Sequence, residues 1–91
     1  MPMIDFDIMV FREGESYVAF CPELDVSSCG SDIDEARANL KTAIRLFIEE
    51  AEKLGTLDQI LEEAGYVANG KGGYDPPRLV ATESATIATE G

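Results

Sequence analysis

The sequence predicts an α+β domain with the element order β-β-β-α-α-β. Three observations carry that reading. Residues Met3 to Phe11 alternate in polarity with a period of two, the mark of a half-buried strand. Residues Ile33 to Leu54 repeat apolar side chains at i, i+3, i+4 and i+7, the mark of a helix lying on a sheet. Between them, Tyr17 to Glu35 holds a proline, a glycine and a helix-capping aspartate at the places where a chain must turn.

The first strand puts Ile4, Phe6, Ile8 and Val10 on one face and Met3, Asp5, Asp7, Met9 and Phe11 on the other. Arg12 to Glu15 turns the chain, with Gly14 free to take positive φ. Ser16 to Cys21 is the second strand, rich in the β formers Tyr17, Val18 and Phe20. Pro22 ends it, because proline donates nothing to a ladder. After a turn over Pro22 to Asp25, Val26 to Cys29 is a short third strand, and Gly30 marks its exit.

Asp32 is placed as the N-cap of the long helix, with Glu35 at capping-box spacing. Ile33, Ala36, Leu40, Ala43, Ile44, Phe47, Ala51 and Leu54 form its apolar arc, widened by Leu46 and Ile48. Gly55 stops it. Thr56 caps a shorter helix with Gln59 at N3, and Gly65 ends that one. Tyr66 to Pro77 reads as a mobile loop, because Gly70, Gly72, Gly73 and two prolines crowd it. Arg78 to Thr89 is rich in Ala, Val, Thr and Ile and is expected to be a long fourth strand. A strand returning after a crossover helix pairs parallel to an earlier one. Set beside the first strand, it gives a mixed four-stranded sheet of order 3-2-1-4 with both helices on one face.

Ninety-one residues make one domain over 1–91, with a small core that oligomerisation would help. Met3, Met9 and Phe11, on the far side of the first strand, are the expected oligomer interface of a homodimer or larger assembly. No apolar run is long enough to span a membrane, and the N-terminus lacks the basic flank of a signal peptide. A cytoplasmic address follows as the expectation. In that compartment Cys21 and Cys29 are expected to be reduced, packed thiols.

Charge is the strongest bulk property. Eighteen acidic residues face seven basic ones and no His, for a net charge of −11. Such a surface repels phosphate backbones, so direct nucleic-acid binding is not expected. It attracts a basic protein partner. Without His, Ser–His and Cys–His nucleophilic pairs are excluded.

Three candidate sites are weighed against their plainer readings. Gly65 to Lys71 has the G-x-x-x-x-G-K spacing of a phosphate loop, but Gly72 stands where Ser or Thr is needed, and the flanking elements are wrong. Asp5 and Asp7, with Glu13, Glu15, Glu23 and Asp25 near in sequence, suggest a metal-dependent nuclease as a rival function. Solvated strand-face charges explain them better, because the sheet-facing arc of the helix brings no carboxylate. Arg37, Lys41 and Arg45 form a basic stripe, read as a salt-bridged helix face in which Arg45 pairs with Glu49. No catalytic, metal or cofactor-binding residue is assigned, and no cofactor is expected. An oligomeric scaffold is the third reading.

The run Tyr17 to Glu50 carries Tyr17-x-Ala19, the Pro22-Glu23-Leu24 turn, Gly30, the cap at Asp32, Glu35-Ala36, Asn39-Leu40 and Ala43-Ile44 in that order. In this it resembles the HicB-like antitoxin family. Leu61 to Val80 is similar to the ending of that family's small stand-alone members. The resemblance implies a partial RNase H-like fold without nuclease activity and a non-enzymatic, protein-binding role in a toxin–antitoxin system. It implies as partner a small basic HicA toxin, an mRNA-cleaving protein whose RNA surface the antitoxin covers, and it implies self-association. Many HicB proteins add a DNA-binding module; here eleven residues follow Val80, so no separate DNA-binding domain is expected. Glu23 and Asp25, in the turn, are the expected partner-binding residues.

Overall fold

The computed structural model describes residues 3–91. Three antiparallel strands form the main sheet: β1 (Met9–Glu13), β2 (Ser16–Cys21) and β3 (Val26–Gly30), in the order β1-β2-β3. Helices α1 (Ile33–Leu54) and α2 (Leu57–Glu63) follow. A two-stranded ribbon, β4 (Val67–Ala68) and β5 (Tyr74–Asp75), completes the regular structure. The α+β class and the 3-2-1 part of the expected order are therefore present.

The β1–β2 hairpin closes through two central residues, with Glu13 opposite Ser16 and Gly14 at φ +61. A glycine at positive φ in the first central position suits the twist of a two-residue hairpin. The second turn puts Asp25 at φ +55, which aspartate tolerates better than most residues.

Helix α1 starts as its sequence signals, with one change of partner. The Asp32 carboxylate accepts from the Glu35 N–H at 2.7 Å. Glu35 then reaches back to the Ser31 N–H at 3.0 Å, one residue before the cap. Gly55, at φ +71, ends the helix and donates to the Ala51 and Glu52 carbonyls. Thr56 does not cap α2: its hydroxyl turns back to the Ala51 carbonyl. Of the expected arc, Ala36, Leu40, Ile44 and Ala51 are buried, whereas Ile33 and Leu54 at the two ends are exposed.

Two apolar clusters hold the fold. Ala19, Cys21, Ala36, Leu40 and Ile44 form one between sheet and α1, with Phe6, Ile8, Val10, Tyr17 and Val26 against it. Ala51, Leu57, Leu61 and Tyr66 form the other, between α1, α2 and the ribbon. Leu24 and Ile48 touch both. Asn39 ties α1 to the sheet by donating to the Cys29 carbonyl at 2.8 Å.

Three sequence expectations are corrected. First, the ladder of β1 begins at Met9, not Met3. Residues 3–8 keep their alternation of exposure, but Pro22 breaks the facing strand, and the Asp7 N–H is met by the Glu23 carboxylate instead of a backbone carbonyl. Second, Tyr66 to Pro77 is not a plain loop. It contains the β4–β5 ribbon, whose turn is organised by Asn69: its side-chain oxygen accepts from the Lys71 and Gly73 N–H groups. Third, residues 78–89 form no strand. The parallel return beside the N-terminal segment occurs earlier, as one bridge between Ile4 and Tyr74. Pro76 and Pro77 come directly after and supply no donors, so the pairing stops there. β propensity without a neighbouring strand is not enough to order residues 78–89.

Among the described residues no helix is long and apolar enough to cross a membrane.

Candidate functional site

Two surface features stand out: a carboxylate-rich exterior and a sheet face that no helix covers.

The two turn acids expected to meet a partner are placed differently. Asp25 is exposed at the end of the β2–β3 turn, directly before β3. Glu23 is half-buried and folded inward: its two carboxylate oxygens accept from the Asp7 N–H at 3.1 and 3.0 Å, and Oε1 also accepts from the Cys21 thiol at 3.5 Å. Glu23 is thus a clasp holding the N-terminal segment against the turn. Tyr66 forms a second clasp on the same segment, donating to the Asp5 carbonyl at 2.6 Å. Sequence reasoning missed Tyr66 because it lies in a glycine-rich stretch. The available signal was a large aromatic directly after the Gly65 helix stop, where a chain often turns back onto its core.

These neighbours set the local titrations. Burial, with added charge from Glu23, pushes the Cys21 thiol up to about 11. Burial first, and then the Glu23 charge, also raises the Tyr66 phenol. Tyr74 is raised by the hydrogen bond it donates to the Asp58 carboxylate. Neither cysteine is in a disulfide; Cys21 is buried, but Cys29 is exposed, contrary to the packed thiol expected there.

Asp5 and Asp7 both lie exposed on the N-terminal segment. Among the described residues no three His, Cys, Asp or Glu side chains are grouped so that they could hold one metal ion. The basic stripe of α1 is less salt-bridged than its spacing suggests. Arg37 meets Asp34 at 3.8 Å, and Arg45 makes no ion pair with Glu49. The Gly65–Lys71 segment with phosphate-loop spacing covers β4 and the first half of the ribbon turn, and β5 follows it where a phosphate loop needs a helix.

The uncovered face of the sheet is set by register. Met9 lies opposite Phe20, and Phe11 lies opposite Val18. Val18 in turn faces Cys29. Ala19 and Cys21, the alternate residues of β2, are fully buried under α1. Met9, Phe11, Val18, Phe20 and Cys29 therefore share the opposite side. Phe11 is 50% exposed and Met9, Val18 and Phe20 are half-buried. Met9 and Phe11, two of the three residues expected at an oligomer interface, share this face with Val18 and Phe20. Met3 is elsewhere, before β1 and next to Gly73 of the ribbon turn. Val18 and Phe20 were readable as the even positions of a strand whose odd positions are core.

No family model, curated protein or solved structure matches this chain.

Proposed function

We propose that this chain is a non-enzymatic protein-binding domain of the HicB-like antitoxin type. Its role is to neutralise a small basic, mRNA-cleaving HicA-type toxin in the cytoplasm by covering the toxin's RNA surface. One observation carries the proposal: the carboxylates are left almost without cation partners. Of eighteen acidic residues, Asp34 is the one in an ion pair among the described residues. Asp32, Glu35 and Glu23 serve the fold by hydrogen bonds, but all the acids except Glu23 and Glu49 lie exposed. Such a surface resembles, in charge, the RNA that a basic nuclease binds, and it speeds encounter with a basic partner.

The motif run from Tyr17 to Glu50 supports the same reading. Its Pro22 ends β2, its Gly30 admits the close approach of α1, and its Asp32 caps that helix. The finer fold reading, a partial RNase H-like sheet of order 3-2-1-4, belongs to this proposal. β1, β2 and β3 have the order it requires, and the outer edge of β1 is free for a fourth strand. Self-association as a homodimer or larger assembly, with Met9 and Phe11 at the interface, is proposed as well. Direct nucleic-acid binding and a cofactor are no part of the reading.

Co-expression with the product of the adjacent reading frame tests it. A small basic protein should co-purify, its toxicity should be relieved, and the complex should weaken as salt screens the charges. Absence of both co-purification and relief would remove the proposal. Within the complex, Asp25→Asn is expected to slow association without altering the fold, since Asn also accepts positive φ.

A further inference from the structure

We propose that residues 78–89 are an exchange arm: in solution this segment of one copy adds as a fourth strand to the free edge of β1 in a second copy, and the second copy returns the contact. The inference deepens the self-association part of the reading above and is independent of any toxin.

Four observations place the arm. Every residue from Pro77 to Gly91 is exposed, and none of 76–91 makes a hydrogen bond to the other described residues. Backbone groups with no partner in their own fold are the usual substrate of strand addition. The segment is nevertheless patterned as a strand. Leu79, Ala81, Ala85 and Ile87 fall on one face, interrupted by Glu83, while Val80, Thr82, Ser84, Thr86 and Ala88 fall on the other.

The exit is directed. Pro76 and Pro77 stiffen the chain where it leaves, and a proline pair favours an extended path. Pro77 itself packs on Gly65, fixing the root of the arm at the end of α2. The radius of gyration is 15.6 Å, against about 12 Å for a compact chain of this length.

The receiving edge is adjacent and open. A groove at the root of the arm is lined by Asp7, Met9 and Glu23 on one side and by Arg78, Leu79 and Thr82 on the other. It lies at the N-terminal end of β1, whose single strand neighbour is β2. In a two-fold arrangement each copy would lay its arm along the other's β1.

Sedimentation of the intact chain tests the inference, with Val80→Pro/Ile87→Pro as the variant and Glu83→Gln as its control. Prolines inside a ladder remove donors but leave residues 3–75 untouched. The intact chain and the control should run at twice 9.9 kDa or more, and the double variant at 9.9 kDa with unchanged circular dichroism. Amide exchange on the intact dimer should show residues 79–88 and β1 protected together, and mixed labelled and unlabelled copies should give contacts between them. A monomeric intact chain would overturn the inference, as would a dimer that survives both prolines or one whose 79–88 amides exchange freely. A dimer that meets these tests yet captures no toxin would refute the functional reading alone.

Discussion

Gly30 sits where α1 comes closest to the sheet, and the whole α/β packing can be tested through it. A methyl group at this position would lie 2.5 Å from the Ala36 backbone nitrogen, and 2.9 Å from both the carbonyl carbon and Cβ of Glu35. Ordinary contact begins at 3.4 Å, so the start of the helix must back away by close to an ångström. The atoms struck are mainly backbone, so no rotamer change relieves the clash. Backing away also stretches the 2.8 Å bond from Asn39 to the Cys29 carbonyl and opens the Ala36–Leu40–Ile44 contact with Ala19 and Cys21. Overpacking of this kind costs about 1–3 kcal/mol. Alanine offsets about 0.4–1 kcal/mol of that by restricting the unfolded chain, since Gly30 has no left-handed backbone to strain. Because the clash is with backbone, the upper part of that cost applies, and the net loss for Gly30→Ala is about 1–2 kcal/mol, or roughly 5–15 °C in Tm for a domain of this size. Thermal and urea unfolding followed by circular dichroism measure it. Ala36→Gly in the same background should not restore stability, because the nitrogen stays where it is. A Gly30→Ala midpoint within about 0.5 kcal/mol of wild type, the range of an inert surface change, would show that α1 does not approach β3 this closely.

Three further outcomes rest on the clasps and the thiols. Glu23→Ala should lower stability by about 1–2 kcal/mol, because it strips a charge-assisted acceptor from the Asp7 N–H; hydrogen exchange should show that amide freed, whereas Asp25→Asn leaves Tm unchanged. Tyr66→Phe removes the bond to the Asp5 carbonyl inside a buried cluster and should cost about 1–2 kcal/mol, with residues 4–7 losing protection before the β1–β3 sheet does. For Cys21, the folded pKa of about 11 stands above the unfolded 9.0, so the unfolded chain gives up its proton first. The stability tied to this thiol is complete below pH 9.0 and is lost as pH rises towards about 11. Unfolding midpoints across that window should fall less steeply in Cys21→Val than in wild type, and a thiol reagent at neutral pH should titrate Cys29 alone.

The features legible in the sequence were those that rest on local chemistry. The helix cap at Asp32, the stop at Gly55 and the hairpin glycine at Gly14 depend on a few neighbouring residues, and each sits where the spacing places it. The errors fall where a distant partner decides. Thr56 has capping chemistry, but the Ala51 carbonyl at the end of α1, which also accepts from the Gly55 and Thr56 N–H groups, takes its hydroxyl. Asn69 turns a glycine-rich stretch into an ordered ribbon by gathering two N–H groups, an effect that depends on one side chain's rotamer more than on composition. Residues 78–89 have the composition of a strand, yet a strand is a relation between two segments, and in the single copy no described strand pairs with them.

The same distinction governs the candidate surfaces. Asp25 and Glu23 are two residues apart in one turn and looked equivalent as partner contacts. Asp25 stays outside: the last residue before β3, at φ +55, it is exposed. Glu23 is recruited inward because Pro22 leaves the ladder short and Asp7 needs an acceptor. A proline that ends a strand thus removes one acid from the binding surface and assigns it to holding the N-terminal segment. Any partner recognition at this turn must then run through Asp25 and the free carboxylates around it. A change at Glu23 that weakened partner binding would act by releasing residues 4–7, and it would carry a loss of Tm that a direct contact would not.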